Sequence, residues 1–182
     1  MASFAAAVAR LRVPLHFLLA AVLFWLARPT TTLLAAGAGL VALGLLVRGW
    51  AAGHLRRELP LTVSGPYAHL RHPLYLGSAF ILAGFALAGA EPIFAIVVLG
   101  YFLIVFVPVM RREEQERRAG AADLYAAYAA QVPALWPRLR PAQLEGAANR
   151  FDWQQYSRNR EWRAGAGCVL LLALLYAKMV WR

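Results

Sequence analysis

The sequence predicts an all-α fold, a polytopic membrane helical bundle of about five transmembrane helices with cytosolic amphipathic helices at one end. Two observations carry that prediction. The 182 residues are 61% hydrophobic and only 15% charged, with a mean hydropathy of +0.53, whereas soluble domains are about half apolar and about a quarter charged. The apolar residues also gather in five runs, Val13–Ala27, Pro29–Val47, Pro73–Ala90, Pro92–Met110 and Ala164–Trp181. Each approaches the ~20 residues that a membrane helix needs.

The first run is short and follows Arg10 and Arg12. Such a segment reads as a secretory signal or a signal anchor, and four further runs favour the anchor. Little more than Arg28-Pro29 separates the first two runs, and Gly89-Ala90-Glu91-Pro92 separates the third from the fourth. Both pairs are therefore expected to be tight helical hairpins. The third run opens on Pro73, and proline suits a first helical position because that N–H has no intrahelical partner. The fourth run passes into Arg111-Arg-Glu-Glu-Gln-Glu-Arg-Arg118 without a helix breaker. Its helix is expected to continue, with Glu113–Arg117 and Glu114–Arg118 as i,i+4 pairs. The fifth run holds the single cysteine, Cys168, which reads as a small hydrophobe with no disulfide partner in the chain.

The formal net charge is +10. No basic stretch matches a nucleic-acid-binding motif, so nucleic acid is not an expected partner. In a membrane protein, excess Lys and Arg mark the cytoplasmic loops. With the N-terminus inside, sixteen Lys and Arg residues fall on the inner side, and Arg28, Lys178 and Arg182 fall outside. The expected topology is multi-pass, with both long basic loops and any site in the cytosol, and with Lys178 snorkelling to the outer interface. The outer hairpins are too short to build a site.

The first long loop contains Gly65-Pro-Tyr67 and, four residues on, Arg71-His-Pro-Leu-Tyr-Leu-Gly77. His72 precedes a proline and so is held extended, just outside a helix N-terminus. The unpaired N–H groups there are expected to favour anions. The second loop contains Glu113-Glu114, Tyr125, Tyr128 and Val132-Pro133. A basic, aromatic interfacial loop that anchors a helix would explain any one of these residues. Together the two strings resemble the signatures of the isoprenylcysteine carboxyl methyltransferase and phospholipid methyltransferase superfamily of integral membrane enzymes. The resemblance covers about residues 48–137 of one domain spanning 1–182, and leaves the segment 150–163 and the last run outside it. That segment reads as a headgroup anchor, an interfacial helix or a lid.

The resemblance implies S-adenosyl-L-methionine as cofactor and methyl transfer to a lipophilic acceptor supplied by the bilayer, with no metal. It implies a cofactor pocket of Leu59, Pro60, Leu61, Thr62, Tyr67, His72, Pro73, Leu74, Tyr75 and Glu113. Glu113 would face the cofactor ammonium, and Arg111 or Arg112 would orient an acidic acceptor or headgroup. Four positions depart from the family pattern: Arg117 replaces a leucine, Ala121-Ala122 replaces an aromatic-glycine pair, and Val109 stands where the substrate arginine is usual. Membrane sterol and enone reductases share a similar Arg-His-Pro-x-Tyr string, so an NADPH-dependent reductase is the alternative. His54 and His69 read as solvated loop histidines. The acceptor and the oligomeric state are not legible.

Overall fold

The computed structural model describes residues 15, 17–144 and 150–181. Arg10, Arg12, most of the beginning of the first apolar run and Arg182 lie outside them. The described residues form helices and loops without a strand. The helices are α1 (Phe17–Leu26), α2 (Thr31–His54), α3 (Pro73–Ala88), α4 (Ile93–Tyr101), α5 (Val107–Gly120), α6 (Ala122–Gln131), α7 (Trp153–Arg158) and α8 (Trp162–Val180).

Three stretches, Thr31–His54, Ile93–Gly120 and Trp162–Val180, are long and apolar enough to cross a membrane. The chain is a helical membrane bundle, and among the described residues two further apolar runs form the shorter helices α1 and α3. The third run comes up short because its last two residues are a turn, in which Ala90 takes φ 57°. The 16 residues of α3 reach roughly 24 Å at 1.5 Å per residue, against about 30 Å for a bilayer core. Conversely, α2 runs seven residues past Val47, into the basic loop.

Helices α4 and α5 form one continuous rod joined by a wide π turn at Phe102–Phe106. The turn lies just before Pro108. Proline has no N–H for the α ladder and its ring crowds the carbonyl four residues back, and a wider turn relieves both problems. The rod then carries the charge cluster out of the apolar zone, as expected. The expected i,i+4 pairs are not made. Glu113 and Glu114 turn towards α3, and the pair that forms is Arg112–Glu116, with Nε 2.6 Å from Oε1.

The long side of α2 lies on α3 through glycine. A Cβ on Gly37 would strike the Gly84 carbonyl, and a Cβ on Gly44 would lie 2.5 Å from the Gly77 carbonyl. The pairs 37/84 and 44/77 are seven residues apart on antiparallel helices, so both contacts fall on one seam. Small residues let membrane helices approach to backbone contact. Leu23, Val41, Phe85, Phe94, Cys168 and Leu175 fill the core at the apolar end.

At that end the two hairpin turns meet. Arg28 N donates to Gly89 O at 2.9 Å, and Arg28 Nε lies 3.1 Å from Glu91. Lys178 is also here, but it does not simply snorkel to the interface. Its Nζ donates to the carbonyls of Phe24 and Trp25, at 2.6 and 2.8 Å, and so caps the last turn of α1. Both long loops, α6 and α7 lie at the opposite, polar end.

Candidate functional site

The loops of the polar end are bonded to each other. Backbone N–H groups of Arg71 and His72 donate to the carbonyls of Pro133 and Ala134, and those of Arg138 and Ala142 return to His69 and Ala68. Tyr128 reaches across from α6, its hydroxyl 2.8 Å from the Tyr67 carbonyl. Leu61, Val63, Tyr125, Tyr128, Val132 and Ala142 close a small core beneath. The N–H groups of Arg71 and His72 are taken by these contacts.

Helix α5 latches onto the start of α3. His72 Nε2 lies 3.0 Å from Glu114 Oε1, which also accepts from Arg71 at 2.9 Å. One residue earlier, Glu113 accepts from the Tyr75 hydroxyl at 2.8 Å. Burial lowers the His72 pKa from its ordinary value, more than the Glu114 hydrogen bond raises it. A neutral His72 facing a carboxylate must carry its proton on Nε2, since a carboxylate only accepts. The Tyr67, Tyr125 and Tyr128 hydroxyls are all pushed upward, chiefly by burial, so these residues are neutral phenols.

A cavity of about 790 Å³ opens between the first loop, the start of α3, the turns of α5 beyond the apolar zone and Glu161. That lies within the ~300–1,000 Å³ usual for small-molecule sites. Of the ten residues expected around a cofactor, Leu59, Pro60, Thr62, Tyr67, His72, Pro73, Leu74, Tyr75 and Glu113 line it. Leu61 turns away into the loop core. Arg111 is exposed and Arg112 is tied to Glu116, and neither lines the cavity. Tyr67 is buried, and its hydroxyl has no hydrogen-bond partner among the described residues. A buried unpaired hydroxyl costs about 1–3 kcal/mol, and a bound molecule would relieve that cost.

Much of the cavity's charge comes from residues that the sequence does not single out, Arg48, Arg56, Arg57 and Glu161 among them. Arg48, Arg56, Arg57, Arg71 and Arg117 line it, against Glu113, Glu116 and Glu161. Arg48 stands at its inner end. Its guanidinium binds both oxygens of Glu161 at 2.8–2.9 Å and donates to Ser78 Oγ at 2.6 Å. Arg48, Ser78 and Phe106 also line a second, apolar cavity of about 620 Å³ among α1, α3, α4 and α8. Arg48 looks like any basic loop residue in the sequence, because the 113-residue separation from Glu161 hides the pairing.

His54 and His69 are structural. His54 is buried, donates from Nδ1 to the Trp50 carbonyl at 3.0 Å, and packs on Gly65. Gly65 has φ +57°, and a Cβ there would run into the His54 ring. His69 Nδ1 lies 2.8 Å from the Arg138 carbonyl. This corrects the expectation of solvated histidines. No group of three or more His, Cys, Asp or Glu able to hold a metal occurs among the described residues.

No protein-family model matches the chain, and no solved structure matches it. The chain is similar to the cobalt-zinc-cadmium resistance protein CzcN of Cupriavidus metallidurans, with 33% identity over 138 residues, covering 70% of this chain. The chain spans 62% of the length of that relative. These comparisons correct the assignment to the methyltransferase superfamily, and with it methyl transfer and the reductase alternative, because the matching relative is named for metal resistance. The two strings behind the resemblance also have a structural account. Tyr128, Val132-Pro133 and Arg71-His72 dock one loop on the other, and Glu113-Glu114 latch α5 to α3.

Proposed function

We propose that this chain is a membrane protein of divalent-metal resistance that works through an organic-ligand site at the cytosolic membrane face, without ligating the metal there. The observation that carries this reading is the charge of the polar cavity, five arginines against three glutamates. Each unit of positive charge within about 4 Å of a guanidinium is opposed by about 4 kcal/mol at the effective dielectric of a protein surface. Such a cavity disfavours a divalent cation and favours a ligand with an oxyanion. The metal-resistance half comes from the relative, which bears that name.

S-adenosyl-L-methionine is the ligand we propose for the polar cavity. Its carboxylate suits the arginines, its ammonium and sulfonium suit Glu113 and the other two glutamates, and it offers the buried Tyr67 hydroxyl a partner. The apolar cavity beside it suits a lipophilic small molecule drawn from the bilayer. The cytosolic placement is supported by the sixteen-to-three distribution of Lys and Arg.

Two measurements test the two halves separately. Cells carrying the chain are expected to grow at higher zinc, cobalt or cadmium concentrations than cells without it. Unchanged growth with all three metals removes the resistance reading. Purified protein is expected to melt several degrees higher with saturating S-adenosylhomocysteine, since a ligand at a hundred times its Kd stabilises the native state by about 2.7 kcal/mol. NADPH is expected to give no shift. No shift with the sulfur compound removes the ligand assignment.

A further inference from the structure

The loop after α6 carries two of the most exposed apolar side chains of the polar end, Trp136 at 85% and Leu139 at 98%. Neither lines the polar or the apolar cavity. The backbone that presents them is fixed. Arg138 N donates to the His69 carbonyl at 3.0 Å, and His69 Nδ1 donates to the Arg138 carbonyl at 2.8 Å. Leu135, one residue before Trp136, packs into the cluster of Leu82, Phe106 and Met110. The loop thus reaches the level at which the α4–α5 rod leaves the apolar zone, since Arg111 follows Met110.

Ring contacts extend this surface. The partly exposed Trp50 has its ring centre 6.0 Å from His69 and 6.3 Å from His54. Phe151 lies 5.9 Å from His54 and 4.9 Å from Trp153, which is 74% exposed. His54 and His69 therefore join side chains from three segments into one aromatic surface. Its height is set by α2, whose apolar run ends at Val47. Tyr156 lies beside Gly49, and Asp152 N donates to the Gly53 carbonyl. Those positions are two to six residues past Val47, which is about 3–9 Å at 1.5 Å per residue. The headgroup layer on each side of a bilayer core is about 5–8 Å thick. The surface falls within that layer, where tryptophan gathers because its ring is apolar with one polar edge.

Arg140 and Arg150 flank the surface. Both are exposed, and neither guanidinium has a partner among the described residues. The nearby Asp152 caps Gln154 N and lies 3.9 Å from Arg56. The other end of the bundle differs. Trp25 and Trp181 are exposed there, but Arg28 is paired with Glu91 and Lys178 caps α1.

We propose that this aromatic surface docks the polar end on the surrounding bilayer, with Trp136, Leu139 and Trp153 seated among the headgroups and Arg140 and Arg150 on the phosphates of anionic phospholipid. The hydrophobic effect drives such fixed, exposed side chains into the apolar phase beside them. Each arginine near an anionic leaflet adds attraction. The inference does not depend on which ligand fills either cavity.

The test uses the full chain in nanodiscs. A nitroxide at Leu139→Cys, in a Cys168→Ala background, is expected to be relaxed by oxygen and shielded from a water-soluble nickel chelate. Collision with the chelate as frequent as for a free nitroxide in buffer overturns the docking and leaves the surface to a soluble partner. The melting temperature is expected to be several degrees higher in phosphatidylglycerol than in phosphatidylcholine, as binding to the native state requires. That difference is expected to fall by roughly half in the double variant Arg140→Gln, Arg150→Gln. Equal melting temperatures in the two lipids, or an unchanged difference in the double variant, overturn the assignment to anionic lipid. Neither readout involves S-adenosylhomocysteine, so its failure is separable from failure of the ligand assignment.

Discussion

Nε2 of His72 and Oε1 of Glu114 lie 3.0 Å apart, joining the start of α3 to the charged end of α5 over 42 residues of sequence. Arg71 donates to the same carboxylate oxygen. The pair is shielded from solvent, and burial holds His72 below its ordinary pKa of 6.5.

That depression makes stability depend on pH. Between the folded pKa and about 6.5 the unfolded chain binds a proton that the folded chain does not, so stability rises with pH there. The contribution of neutral His72 is fully present above about 6.5 and is lost as pH falls below it, by at most about 1.4 kcal/mol per pH unit. Melting temperatures in detergent from pH 7.5 to 5.5 are expected to fall, and to fall less steeply in His72→Gln. Parallel curves for the two proteins would refute this.

The α2–α3 seam gives a second expectation. Gly37→Ala places a methyl against the Gly84 carbonyl and the Ala88 side chain, and overpacking of this kind costs about 1–3 kcal/mol. Gly39, two residues on, has nothing within 4 Å of a Cβ. Gly39→Ala is expected to be neutral or to stabilise by up to about 1 kcal/mol through helix propensity. Chemical unfolding of the two variants checks the contrast, and equal destabilisation would count against the glycine seam.

Tyr67 separates binding from folding. Tyr67→Phe removes a buried hydroxyl that no described residue satisfies. Its folded state is expected to be unchanged or about 1 kcal/mol more stable. The melting shift with S-adenosylhomocysteine is expected to shrink at the same time. A loss of stability with an unchanged ligand shift would place the hydroxyl in the packing instead of the site.

Lys178 gives the fourth expectation. Lys178→Met keeps the apolar stem and removes the donors to Phe24 and Trp25. A loss of about 1 kcal/mol is expected, since this cap is partly exposed and charged hydrogen bonds contribute about 1.5–3 kcal/mol at most. Hydrogen exchange at the end of α1 should quicken locally. No change there would mean that the capping is incidental.

The membrane bundle, its tight hairpins and the charged extension of α5 follow from the sequence, because hydrophobicity and charge act on neighbouring residues and leave a readable pattern. So does the segregation of charge that carries the cytosolic proposal. Part of the cavity's lining was legible too, because His72, Pro73 and Tyr75 lie within one turn, and Tyr67 and Glu113 fall in recognisable strings. The positions of Arg48, Arg57 and Glu161 were decided only in three dimensions. Ion pairs and helix caps between residues a hundred or more apart have no local signal. The same holds for Glu113 and Glu114, whose spacing suits intrahelical pairs with Arg117 and Arg118. In the folded chain they turn instead to Tyr75, His72 and Arg71, because buried partners gathered by tertiary packing bind a carboxylate more strongly than solvated neighbours one turn away.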